Sequence, residues 1–252
     1  MPGTYNWVWD ATADLGEGTV LEKVTVNASC EAPLGGVQLW EDGPYWAECN
    51  VGASKSEEYG YYFWWGDTVG YTWDGGTYDG VYPRYTGVTW VSSKGVRMGS
   101  SPFSWSSCPT YSKDTSELRA AKYINSTGNL VAAYDAATAH LGAPWRMPTD
   151  SEFSALINNC TTTWTTRNGV FGMLVKGRND YSSKSIFIPA AGLGDGSDLN
   201  YPGRSGYYCS STRDPSDSFL AQSLGFSSGL FGKGSVNRYC GCPVRPVRGV
   251  GK

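Results

Sequence analysis

Charge is scarce in this chain. Charged residues make up 17% of its 252 residues, against about 25% in an ordinary soluble domain. The net balance is −3, so no basic stripe exists to neutralise phosphates, and nucleic acid is not an expected partner. No apolar run reaches the roughly 18 residues of a spanning helix, so no membrane insertion is expected. The start, MPGTYNWVWD, has neither a basic n-region nor an apolar h-region, so it does not read as a signal peptide. Histidine occurs once, at His140, and the seven cysteines (Cys30, Cys49, Cys108, Cys160, Cys209, Cys240 and Cys242) contain no CxxC pair. Zinc-ligand spacing is therefore missing, and neither a metal nor a cofactor is expected. The odd count and irregular spacing argue against a disulfide framework and for mostly unpaired thiols. No period of 20–50 residues recurs, which excludes solenoids and propellers.

Glycine and large rings are abundant: 33 Gly, 17 Tyr and 11 Trp. With few helix-forming Glu, Lys and Leu, this composition predicts short strands and many turns. The length suits one large domain or two small ones, with a core that needs no staple. Asn27, Asn125 and Asn159 begin glycosylation sequons, a pattern short enough to recur by chance.

Residues 1–34 carry an aromatic cluster (Tyr5, Trp7, Trp9) and an alternating stretch, Val20–Val26, that reads as a strand. Gly and Pro between Glu31 and Gly36 mark a joint, so an N-terminal extension (1–34) precedes a main domain (35–252). Rings crowd Val37 to Gly70 and are expected to fill a core rather than to form a sugar-stacking platform. Residues 70–112 read as a long excursion with one hairpin, of a length that is usually functional or packed on itself.

Helical signals are confined to the middle. Asp114–Ile124 places Leu118, Ala121 and Ile124 on one side. Ala132–Leu141 is alanine-rich and stops at Gly142 with Pro144 beyond. Thr149-Asp150-Ser151-Glu152 is a capping box, and Phe153, Leu156 and Ile157 follow on one face. Strands are expected at Gly172–Lys176 and Ser185–Gly192, with more to the end. About two helices amid short antiparallel strands and long loops predict an α+β domain.

The C-terminal segment, about 199–242, mixes two kinds of position. Gly206, Tyr208, Ser210, Leu224, Phe226 and the closing Pro243–Arg248 look like frame. Interleaved Tyr201, Arg204, Tyr207, Cys209, Arg213, Leu220, Leu230, Cys240 and Cys242 share no packing logic, which points to a displayed binding surface. Strand alternation adds to this: if Leu224 and Phe226 face inward, Ser223, Gly225 and Ser227 face outward.

WRMPTDSEF at 145–153 resembles the R-(L/M)-P-T-x-x-E-(W/F) signature of the formylglycine-generating-enzyme-like branch of the C-type lectin fold. Further blocks extend the likeness over about 37–249: Trp46–Ala53, Tyr62–Asp67, Asp135–Ala139, Ile188–Gly192 and VRPVR at 244–248. As a set they resemble the Fibrobacter succinogenes major paralogous domain, found in bacterial surface and phage proteins. The resemblance implies a C-type lectin-like fold. The patchwork of 199–242 further resembles variable proteins of diversity-generating retroelements, in which adenines of Asn-type codons are mutagenised. Such codons yield Tyr, Ser, Cys, Arg, Leu, Phe and Gly but never Lys or Gln, so Gln222 and Lys233 belong to the fixed frame. The implied ligand-facing set is Tyr201, Arg204, Ser205, Tyr207, Cys209, Arg213, Asp214, Leu220, Ser223, Gly225, Ser227, Leu230, Phe231, Tyr239, Cys240 and Cys242.

The implied function is non-enzymatic binding of a protein or glycan on a cell surface, from a phage particle or a bacterial exterior. One alternative is an invariant glycan-binding or adhesin domain of the same fold; the EPN, QPD and WND motifs of calcium-dependent sugar binding do not occur. The other is a cysteine-dependent formylglycine-generating-like oxidase. Cys240-Gly241-Cys242 departs from that family's spacing, and His140 sits in an alanine-rich helix without an evident nucleophile.

Overall fold

The computed structural model describes residues 36–249. The extension 1–34, with its Val20–Val26 strand, its aromatic cluster and Cys30, lies outside the described residues.

Seventeen strands form five small antiparallel sheets among the described residues. The first runs β1 (Gly36–Gln38), β2 (Tyr45–Ala47), β17 (Val247–Arg248). The second runs β10 (Ser185–Pro189), β9 (Val170–Gly177), β8 (Cys160–Arg167). The third runs β11 (Leu193–Asp195), β12 (Asp198–Asn200), β6 (Arg84–Thr86), β5 (Thr77–Asp79). The fourth runs β13 (Ser205–Arg213), β14 (Leu220–Ser227), β15 (Leu230–Asn237). The fifth runs β16 (Cys242–Pro243), β3 (Tyr62–Phe63), β4 (Tyr71–Asp74), β7 (Thr89–Ser92). The α-helices are α1 (Thr115–Ala120), α2 (Ala136–Leu141) and α3 (Asp150–Asn159), only six, six and ten residues long.

This architecture corrects the α+β, C-type lectin-like expectation: the chain is mostly β. The helices were expected, but α1 stops short of Ile124 and α2 begins late, at Ala136 instead of Ala132, although it ends at Gly142 as expected. Beyond α1, Lys122 takes a positive φ of 60°, which breaks helical continuity. The alanine-rich run divides at Asp135. Ala132–Tyr134 is a 3₁₀ turn, and the Asp135 carboxylate caps α2 through Thr138 N (2.9 Å) while accepting Met147 N (2.9 Å). That second bond ties the cap to another segment. Only α3 has its expected form. The Thr149 hydroxyl and the Glu152 carboxylate cap it reciprocally, and Phe153 and Leu156 are buried. Glu152 also holds Arg146 through two oxygens, at 2.7 and 2.6 Å.

Strand content rises because polar segments pair. β8, with five threonines in CTTTWTTR, shows almost no apolar alternation, yet it aligns with β9 without a break from Cys160↔Gly177 to Arg167↔Val170. The 70–112 excursion supplies β4 to β7 and buries Trp90 and Phe103. Trp46, Tyr62, Phe63 and Trp65 are buried as expected for core rings. The core divides into three clusters. One gathers α3, β8–β10, Tyr208, Leu224 and Phe226. A second gathers Phe63, Trp65, α1, α2, Cys209, Ala221, Val236 and Cys242. The third surrounds Tyr62, Trp90 and Phe103.

His140 is neither free in solvent nor a plain cap. Its ring lies 5.5 Å from those of both Tyr61 and Phe63, and Nε2 is 3.1 Å from Thr68 O. Burial pulls its pKa below the usual histidine range. The adjacent Asp67 carboxylate is buried and accepts N–H groups from Val69 (2.9 Å) and Gly70 (3.1 Å). Burial nevertheless pushes its pKa up from 3.8 to about 6. The folded state therefore holds this proton more tightly than the unfolded chain does. Its contribution to stability falls as pH rises from about 4 to 6, and the cost is complete above that window. Asp67→Asn is therefore expected to be more favourable, relative to wild type, at pH 7.5 than at pH 4, by roughly 2 kcal/mol. Urea midpoints of both proteins at the two pH values test this; a difference below about 0.5 kcal/mol would refute it.

Candidate ligand-binding surface

The fourth sheet carries most of the expected surface, and its pairing decides which side chains share a face. Tyr208 stands opposite Leu224, and Gly206 opposite Phe226. These four, with Phe231 on β15, turn to the core beside α3. A Cβ at Gly206 would meet the Phe226 ring well inside contact distance, so glycine is required there. Tyr208 fixes this face: its hydroxyl donates to Pro189 O (2.8 Å) and accepts from Asn50 Nδ2 (3.0 Å).

The opposite face presents Ser205, Tyr207, Cys209, Ser223, Gly225, Ser227, Leu230, Gly232 and Gly234, by register and alternation. It has two regimes. Near Cys209 it is covered by the second core cluster, which includes Ala221, Val236 and Cys242. Towards the β14–β15 turn it opens. Nothing lies within 4 Å of a Cβ placed at Gly232, and only Gly232 O at 4.0 Å meets one at Gly225. Tyr207, Tyr201 and Leu230 border this shallow floor; the rings of Tyr201 and Tyr207 are 6.3 Å apart.

The expected set therefore separates. Tyr201, Arg204 and Leu230 are exposed, the last by 62%. Ser205, Tyr207, Arg213, Leu220, Gly225, Ser227, Phe231 and Tyr239 are half-buried. Six positions need correction: Cys209, Asp214, Ser223, Cys240 and Cys242 are all buried, and Phe231, though half-buried, turns to the core. Cys209, Cys240 and Cys242 belong to the interior, where burial pushes the Cys240 thiol up and contact with Cys209 together with burial pushes Cys242 up. The Cys240 and Cys242 thiols are therefore held protonated and are poor nucleophiles. Asp214 is an internal acceptor for Ser235 Oγ (2.6 Å), Gln222 Nε2 (2.7 Å) and the Ser216 N–H (2.8 Å). Although burial alone would raise its pKa, these bonds hold the carboxyl below the usual range. Ser223 fails because the outward direction of its strand is itself covered at that point. The six described cysteines are free and buried.

The surface extends beyond the C-terminal segment. The β5–β6 hairpin reaches it through β12, with Asn200 opposite Arg84 and Tyr201 N donating to Pro83 O (2.6 Å). The hairpin exposes Tyr78 (51%), Val81 (83%) and Tyr82 (61%). Tyr78 leans on Tyr85, which leans on Trp73, with centroids 5.2 and 4.8 Å apart. Arg84 bonds Asp79 (3.1 Å) and lies 5.8 Å from the Tyr82 ring centre. These residues were missed from the sequence. The Asp79-Gly80 dipeptide between tyrosine-bearing strands was a turn signal that could have placed them at an exposed tip.

On the core side of the same sheet, Thr127, Asp150, Thr212, Arg213, Pro215, Gln222 and Lys233 line an open cleft of about 290 Å³. Lys233 Nζ is 2.8 Å from Asp150 Oδ2, and Gln222 is committed to Asp214. Both frame residues thus act within the protein.

Comparison with family models, with curated proteins and with solved structures finds no match in any of the three.

Proposed function

We propose that this chain is a non-enzymatic binding protein that offers a diversified surface, built on the open face of β13–β15 and its rim, to a protein or glycan on a cell surface. The supporting observation is the two-sidedness of that sheet. Residues of frame character (Gly206, Tyr208, Leu224, Phe226) pack inward, while Tyr201, Arg204, Tyr207, Gly225, Ser227 and Leu230 lie on the open face or its border. Substitution at the open positions leaves the core untouched, the condition a diversified site must meet. Tyr201 adds a local argument. Its φ of 59° is a left-handed conformation that asparagine accepts more readily than tyrosine, which fits an Asn-type parental codon. Tyrosine and arginine would serve as anchors, and serine and glycine as adaptable spacers. Display on a phage particle or bacterial exterior is part of the proposal.

Sequencing many copies of the gene's 3′ end tests this. Adenine-confined variation is expected at the codons for Tyr201, Arg204, Tyr207 and Leu230, and not at those for Cys209, Ser223 or Cys242; uniform copies would refute the proposal. Tyr201→Ser and Arg204→Ser are expected to change stability by less than about 0.5 kcal/mol while altering ligand binding. A loss of several kcal/mol from either would place that residue in the core.

The exposed Tyr78, Tyr82 and Tyr201 favour a second reading, in which an invariant aromatic surface stacks on sugar rings. Glycan-array binding lost on Tyr82→Ala, with uniform gene copies, would support it over the first.

A further inference from the structure

We propose that two copies of this chain associate edge to edge through β8, joining their three-stranded sheets into one of six strands across a twofold axis. β8 pairs with β9 alone, and its other edge has no backbone partner among the described residues. Its eight residues hold register throughout, and Thr161, Thr162, Thr163, Thr166 and Arg167 are exposed. An edge of this kind presents a row of unpaired N–H and C=O groups. Proteins ordinarily guard such a row with charge, proline, bulges or brevity.

The neighbouring edges carry those guards. The free side of β10 ends in Pro189, and its Phe187 carbonyl is taken by Arg245 Nη2 (2.9 Å). β13 breaks register between Cys209 and Arg213 and is bridged at Gly206 and Thr212. β15 has Lys233 near its middle between Gly232 and Gly234. β8 has only one of these, at its first residue, where the Cys160 carbonyl accepts from Arg178 Nη2 (2.9 Å); from Thr161 to Thr166 it has none. It carries no charge before Arg167, and that side chain is drawn aside onto Ser56 Oγ (2.8 Å) and towards the Phe187 ring, 5.0 Å away.

A second copy fits this edge better than an unlike strand. Thr161–Thr166 offers no charge and no pocket by which to select a foreign sequence, but it is complementary to itself. Antiparallel pairing centred on Thr163 sets Thr161 against Thr165 of the other copy and Thr162 against Trp164. Threonine pairs across strands are favourable. The two Arg167 side chains would then stand about 27 Å apart, at opposite ends of the seam. On one face Trp164 stacks on Phe171 with centroids 5.9 Å apart, and Phe171 is 47% exposed. In this register the two Trp164 residues become diagonal neighbours, with Cβ atoms roughly 7–8 Å apart, so apolar surface at the edge is covered as well.

Sedimentation velocity of the full chain from about 1 to 100 μM is expected to give a dimer, within the range of moderate self-affinity. Thr163→Lys sets like charges face to face at the axis and is expected to weaken the dimer at least about tenfold, with the monomer's near-UV spectrum unchanged. In a Cys30→Ser background, Thr163→Cys is expected to crosslink between copies on mild oxidation, and Thr161→Cys is not. Monomer at every concentration overturns the proposal. So does a dimer indifferent to Thr163→Lys, or crosslinking that is equal at 161 and 163.

Discussion

Arg245→Ala is expected to destabilise the fold by about 3–5 kcal/mol, read as a shift in the denaturant midpoint. The guanidinium is 1% exposed. Nη1 donates to Ala47 O (3.1 Å) and to Glu48 O, and Nη2 donates to Phe187 O (2.9 Å). One side chain therefore ties the end of β2 and the middle of β10 to the closing segment. It has no carboxylate partner among the described ion pairs. Carbonyl dipoles alone offset the cost of burying its charge, and burial pulls its pKa below the usual arginine value. Alanine would leave three buried carbonyls without donors and a cavity where the side chain lay. Arg245→Lys keeps the charge but not the planar fork that reaches three oxygens, so it should recover only part of the loss. A cost below about 1 kcal/mol for the alanine variant would mean that water enters and replaces the guanidinium.

Cys242→Arg is expected to cost 4 kcal/mol or more, on the order of an uncompensated buried charge, and to remove most soluble protein. Cys242 is 0% exposed, stands opposite Phe63 in the fifth sheet, and packs with Cys209, Ala221 and Val244. A new cation there would have neither a partner nor room. Leu230→Arg, on the open rim, is expected to change stability by less than about 0.5 kcal/mol. Soluble yield and melting temperature of the two variants, measured together, test the boundary drawn between interior and displayed positions. A folded, near-native Cys242→Arg protein would return that cysteine to the displayed set.

Local chemistry was legible in the sequence where a signal is local. Thr149 and Glu152 announced the start of α3, and the apolar runs at 172–176 and 185–192 announced β9 and β10, the latter ending at Pro189. Sheet partners that depend on distant segments left no such mark. The threonines of β8 become a strand only because Val170–Gly177 lies beside them. The same limit explains the site. Alternation placed Gly225 and Ser227 opposite Leu224 and Phe226, as found. Alternation cannot tell that the outward face at Ser223 and Cys209 is roofed by residues from outside the sheet, among them Phe63, Trp65, Cys242 and Val244. Irregular character in a segment does not separate its exposed members from its buried ones. Cysteine misled most, since a small thiol sits equally well in a variable codon and in a tight interior.

The closing residues have a consequence for how the molecule is made. β17 completes the first sheet by pairing with β2, and β16 completes the fifth by pairing with β3. Arg146 is also bridged to Val247. Strands laid down early in synthesis must therefore wait for Cys242–Arg248 before their sheets can close. Folding should be slow, as it is for chains dominated by distant pairings. A ribosome halted before Cys242 would hold a chain with both sheets unfinished, so a product truncated there should be degraded.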